Sequence, residues 1–118
     1  MSESVELDSA SFSTQVVLTG VLELALDDET PAHAGEIRAA CNQALETVES
    51  DALGTVTEAE VSRTLNELEA AGLVDGSRDD TSATGKGRPK YNLAVQAEAV
   101  RAALKSDDRI APLIARLE

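Results

Sequence analysis

The sequence predicts a mostly α fold of the α+β class: helices, one two-stranded hairpin, and further helices toward the C-terminal end. Three observations carry this. Apolar residues recur at helical spacing in three runs: Val17, Val21 and Leu24; Ile37, Cys41, Leu45 and Val48; and Val61, Leu65 and Leu68. The third run opens on Thr57-Glu58-Ala59-Glu60, a capping box in which hydroxyl and carboxylate each satisfy an otherwise orphaned amide. Two short extended segments, Leu73-Val74 and Tyr91-Asn92-Leu93, flank the polar, glycine-bearing run DGSRDDTSATGKGRPK, the pattern of a hairpin. A length of 118 residues fits one domain around one core.

Taken in order, residues 1–12 are expected to form a flexible acidic arm, because MSESVELDSA has no apolar period. Helix one is expected from about Thr14 to Leu26, with Leu18, Leu22 and Ala25 beside its main stripe, so that it is buried on much of its circumference. Asp27-Asp28-Glu29 then makes an acidic loop. Thr30-Pro31 supplies an N-cap and a proline at the first helical position, which starts helix two and carries it to about Val48. The stretch ESDALGTV breaks the period and turns the chain. Helix three spans about 57–71 and ends at Gly72, which can take the left-handed conformation that closes a helix. The hairpin loop occupies 75–90. A helical segment near Val95 to Lys105 follows, and Asp107-Asp108 caps a last one from Arg109 to Glu118. The body is thus 13–94, with C-terminal helices over 95–118, and there is no internal repeat.

Composition narrows the function classes. Aromatic residues are 2%, so the core must be aliphatic. No run approaches the roughly 20 apolar residues that span a bilayer, and acids stand where a signal peptide would carry Lys or Arg, so a cytoplasmic protein is expected. Cys41 is the single cysteine and reads as a small buried residue, with a redox or interchain role as the alternative. His33, the single histidine, reads as a surface or capping residue of helix two. The paired acids at 27–29, 79–80 and 107–108 read as caps and solubility rather than cation sites. No nucleophile, base and orienting group fall at a readable spacing. No catalytic residue, no metal site and no small-molecule substrate are expected, nor any cofactor apart from bound monovalent ions such as potassium or chloride.

The net charge is −12, from 22 acids against 10 bases. Such a surface ordinarily argues against nucleic acid, because phosphate contacts supply most of the affinity. It also fits adaptation to very high intracellular salt. At about 1 M salt the Debye length is roughly 3 Å, so distant acids scarcely repel a phosphate and only local charge counts.

Local charge points one way. The order helix, helix, turn, capped helix, hairpin, extra helix is that of a winged helix-turn-helix. A third helix packed through Val61, Leu65 and Leu68 turns its other face outward, and a B-DNA major groove admits one helix. Arg63 can pair with guanine, Asn66 with adenine, Ser62 with a base or phosphate, and Glu58 can accept from cytosine; Thr57 stands at the start of the same helix. In the hairpin tip, Gly85-Lys86-Gly87-Arg88-Pro89-Lys90, three of the ten bases fall within five residues. Lys86, Arg88 and Lys90 are candidate phosphate or minor-groove contacts, with Gly87 letting backbone approach and Arg78 on the other arm. The bland alternatives are a solvated helix face and a soluble loop tip.

The segment VSRTLNELEAAGLVDGSRDDTSATGKGRPKYNL resembles the recognition helix and wing of winged-helix regulators of the PadR and MarR type, in which a run like LNELEAAGLV leads into a wing ending G-R-P-x-Y. The resemblance covers about residues 14–95 and is strongest from Val61 to Leu93. Together with the acidity, the chain is similar to haloarchaeal PadR-like regulators, including the small kind linked to oxidative-stress response. The resemblance implies that Ser62, Arg63 and Asn66 lie on the groove face, that Lys86, Arg88 and Lys90 lie on the wing, and that the terminal helices form a dimer. The chain departs from the family in the length of its second helix and turn, which bears on the angle of helix three.

Candidate dimer residues are Val95, Ala99 and Ala102 and, in the last segment, Ile110, Leu113, Ile114 and Leu117. This last stripe either pairs with another copy, favoured by burial at about 25 cal/mol per Å², or covers helix one of its own chain. The expected function is sequence-specific binding of double-stranded DNA by a homodimeric transcriptional regulator. The rival is a winged helix that binds protein and not DNA. A replication-initiator-like winged helix ranks lower, for want of an ATPase domain.

Overall fold

The structure, a computed structural model, describes residues 11–47, 56–77 and 89–117. Helix α1 (Phe12–Leu26) is its centre: residues from Gln15 to Leu22 are all buried, with α2 (Ala34–Thr47), α3 (Glu58–Ala70) and α4 (Ala97–Lys105) packed around it. The helix starts two residues earlier than its apolar period suggests, because the Ser11 hydroxyl accepts the Thr14 amide at 3.1 Å and caps it. Ser11 and Phe12 therefore belong to the folded body; the rest of the expected acidic arm lies outside the described residues.

Helix α1 ends at Leu26 and Asp27–Glu29 form a loop, as expected, whereas the start of α2 differs from the expectation. Helix α1 closes with Asp28 in the left-handed region (φ 59°), where Glu29 N–H reaches the Leu24 carbonyl at 2.8 Å and Asp28 N–H the Ala25 carbonyl at 3.2 Å. Thr30-Pro31 does not start α2. Instead Ala32–His33 forms a short strand, β1, whose backbone pairs with β3 (Lys90–Leu93) as Ala32 with Tyr91 and His33 with Lys90. Helix α2 begins after it with a reciprocal cap: His33 Nδ1 accepts the Glu36 amide (3.3 Å), and the Glu36 carboxylate accepts the His33 amide (3.1 Å). The expected end at Val48 lies outside the described residues.

The expected two-stranded hairpin is consequently one part of a three-stranded antiparallel sheet of order β1-β3-β2, with β2 at Val74–Ser77. Val74 and Tyr91 point into the core, and Lys90 and Asn92 point out. Helix α3 runs as expected from its capping box to Gly72, which is left-handed (φ 81°) and lets Leu73 N–H reach the Leu68 carbonyl at 3.0 Å.

Beyond the sheet the chain forms two C-terminal helices, α4 and α5 (Ala111–Ala115). Ile110, Leu113 and Ile114 are each 0% exposed within the single chain, while Val95 and Leu117 are partly buried against the same core. The stripe is covered at home. Arg116 grips Glu23 of α1 through two hydrogen bonds of 3.0 and 2.8 Å, Gln15 donates to Asp107 at 3.1 Å, and Arg109 lies 4.7 Å over the Phe12 ring. Of the seven candidate dimer residues only Ala102 is exposed; Ala99 is half-buried.

Candidate nucleic-acid interface

Helix α3 divides cleanly. Val61, Thr64, Leu65 and Leu68 are buried and dock it on α1 and α2. At 100° per residue, the line diametrically opposite runs through Ala59, Arg63, Asn66 and Ala70, all four exposed. Arg63 and Asn66 thus stand at its middle, and neither makes a hydrogen bond or ion pair with the chain among the described residues. Alanines on both sides leave the backbone of that face open to close approach. Sequence reasoning missed Ala59 and Ala70; their spacing from Arg63 and Asn66 (i, i+4, i+7, i+11) was the available signal.

The acids on α3 are held at the flanks. The Glu60 carboxylate accepts the Thr57 amide (3.2 Å) and hydroxyl (3.1 Å), and the Glu69 carboxylate accepts the Gly76 amide at 3.2 Å. Glu58 leans on the start of α2, its Oε1 3.2 Å from where a Cβ on Gly35 would lie. Glu67 is exposed, one turn beyond Arg63 and not paired with it. The outward line itself therefore carries no carboxylate.

The Thr57 hydroxyl both donates to Glu60 and accepts its amide (3.1 Å), so its role is to set the start of α3. Ser62 is half-buried at the edge of the outward face. Lys90 is exposed at the root of the hairpin, cross-strand from Ser77 and His33. Arg78, Lys86, Gly87 and Arg88 lie outside the described residues. His33 is spent on capping α2.

Cys41 is buried against α1; its thiol donates to the Val16 carbonyl at 3.4 Å, and burial pushes it up to about 12, so the nucleophilic thiolate is suppressed. Among the described residues, no three His, Cys, Asp or Glu side chains come together as a metal site, and no helix is long and apolar enough to cross a membrane.

No protein-family model matches the chain, and no curated protein matches it. Among solved structures it is similar to the ORC1 protein of Aeropyrum pernix in complex with DNA, with a TM-score of 0.70 and 27% sequence identity. That likeness covers 93% of this chain and 26% of the ORC1 chain, so the chain spans about a quarter of that protein's length. With β1 between α1 and α2 completing a small antiparallel sheet, and α3 capped ahead of β2 and β3, the fold is a mostly helical, winged-helix-like α+β domain.

Proposed function

We propose that this chain binds double-stranded DNA by laying α3 in the major groove, with the hairpin against the backbone or minor groove. The observation that supports this most is the outward line Ala59, Arg63, Asn66, Ala70, free of carboxylates, in a fold similar to a protein solved with DNA. Arg63 and Asn66 are suited to guanine and adenine edges, and the alanines allow the helix to seat deeply. The role is binding without catalysis or cofactor.

The finer reading is a homodimeric transcriptional regulator working at high salt, PadR-like in its recognition helix and wing. It rests on the segment Val61 to Leu93 and on the acidity of the chain. Two copies would present their α3 helices about 34–36 Å apart, one turn of B-DNA. Their contact would have to use surface other than Ile110, Leu113 and Ile114, which are enclosed in the single chain.

A gel-shift series in molar KCl tests the reading with Arg63→Ala and Arg88→Ala. Loss of a bidentate base contact at Arg63 is expected to cost about 1–3 kcal/mol and to relax preference at one base pair. Loss of Arg88 is expected to weaken all duplexes alike. Wild-type affinity in both variants defeats the proposal, and a footprint that protects no site favours a protein-binding winged helix instead.

A further inference from the structure

In a chain with 22 acids and 10 bases, an arginine paired within its own molecule is the ordinary outcome. The described arginines divide by place. Arg101 pairs with Glu98 at 3.3 Å, Arg109 with Asp107 at 3.2 Å and Arg116 with Glu23 at 2.8 Å, so the C-terminal guanidinium groups are all neutralised at home. Arg38 on α2 and Arg63 on α3 are exposed and have no ion pair among the described residues. The acid nearest Arg38 in sequence, Glu36, is occupied by the amide of His33 at 3.1 Å.

Arg38 also has a defined place. Gly35, Arg38 and Asn42 share one face of α2, at i, i+3 and i+7. Both flanking residues touch the approach to α3. Glu58 Oε1 lies 3.2 Å from the Cβ position of Gly35. Asn42 binds both backbone atoms of Val56, donating to its carbonyl at 3.2 Å and accepting its amide at 2.9 Å. Arg38 therefore stands on the edge of α2 that borders the beginning of α3.

We propose that Arg38 is a second DNA contact, a backbone-phosphate anchor at the shoulder of the groove that α3 enters. The proposal rests on the DNA-binding reading above and adds to it a residue that reads no base. In a helix-turn-helix the helix ahead of the recognition helix crosses the phosphate backbone, and a guanidinium presents paired donors that match phosphate oxygens. A guanidinium with no ion pair among the described residues supplies cationic charge at that edge in a chain whose net charge is −12, and it fixes how α3 is seated.

The test is fluorescence anisotropy with two labelled duplexes, one of alternating A·T and one of alternating G·C, across a KCl series. Arg38→Ala is expected to weaken both by the same factor, on the order of tenfold or about 1.4 kcal/mol. Its log–log salt slope should be shallower than that of the wild type by about 0.9, the value of one lost phosphate contact. Arg38→Lys, which keeps the charge, should retain most of the affinity, and the thermal midpoint of either variant should match the wild type because the side chain is exposed. Wild-type affinity in Arg38→Ala, or a loss confined to one duplex, overturns the anchor. If Arg63→Ala weakens binding while Arg38→Ala does not, the anchor alone falls. If the wild type binds neither duplex, the DNA-binding reading falls and the anchor with it.

Discussion

Gly20 of α1 lies tight against α2: a Cβ there would lie 2.5 Å from Cys41 Sγ and 3.2 Å from the Ile37 carbonyl oxygen. Two effects of Gly20→Ala oppose each other. Helix propensity favours alanine by about 1 kcal/mol, whereas forcing an extra methyl into a packed contact costs typically 1–3 kcal/mol. The contact should win, giving net destabilisation of about 1 kcal/mol in urea unfolding, and Cys41→Ala in the same chain should recover most of it. Additivity of the two substitutions would show that the sulfur is not what Gly20 accommodates. The buried reading of Cys41 was legible from its apolar spacing; its tight fit against a glycine was not, because that glycine lies 21 positions away with no local signal. Asp107 gives a second prediction at this scale. Hydrogen bonds from the Arg109 side chain, then from the Arg109 amide, hold its carboxyl below the usual aspartate range, with Gln15 adding to them. A carboxyl depressed in the folded state contributes stability above its unfolded pKa that is lost as pH falls through the folded one. The advantage of wild type over Asp107→Asn in urea midpoint should therefore be full near neutrality and fade in acid. An advantage that is constant down to the acid limit would assign it to packing instead.

Helices α1 and α3 end in the same way, with a left-handed residue and a backbone hydrogen bond from the residue beyond it, yet only one ending is readable in the sequence. At α3 the left-handed position is Gly72, which announces itself; at α1 it is Asp28, one acid in a run of three that reads as loop. The same contrast separates the capping boxes. Thr57 with Glu60 has the expected residue types, while His33 with Glu36 does the same work through an imidazole nitrogen that no simple pattern marks. Strand β1 was invisible for another reason. It is two residues long and exists only because β3, nearly sixty positions later, offers it an edge, and such non-local pairing leaves no local periodicity. The terminal stripe is legible in the sequence as apolar, but nothing local tells whether another copy or α1 covers it. Its burial within the chain makes a distinct prediction. Leu113→Ala should cost about 2–5 kcal/mol, the range for emptying a packed leucine site. The shift should be the same at every protein concentration, since the lost contacts are intramolecular. A loss that shrinks as concentration rises would place Leu113 in a subunit interface.

At the scale of the whole molecule, the charge of −12 and the DNA-binding reading must be made compatible. On α3 the acids are tied to caps and to β2 or set at the flanks, so the outward line is free of them, while Asp27, Asp28, Glu29, Asp75 and Asp108 are exposed elsewhere. Long-range repulsion between those carboxylates and phosphates is what salt removes: the Debye length falls from about 10 Å at 0.1 M to roughly 3 Å at 1 M. Raising salt therefore has two opposing consequences here. It weakens the few cation–phosphate contacts by the usual counterion-release term, about 0.9 in log–log slope per contact, and it relieves repulsion from the acids, with cations taken up where carboxylate meets phosphate. With few cationic contacts and many acids, the second term should offset much of the first. Affinity measured from 0.2 to 2 M KCl is thus expected to fall far less steeply than for a basic protein making six to ten phosphate contacts, which loses about 10³–10⁵ in affinity between 50 and 200 mM salt. Neutralising exposed acids beside the interface, as in Glu67→Gln, should raise affinity at low salt and change it little at molar salt. A slope as steep as that of a basic repressor, or an effect of Glu67→Gln that is equal at both extremes, would mean that the acids take no part in the salt response.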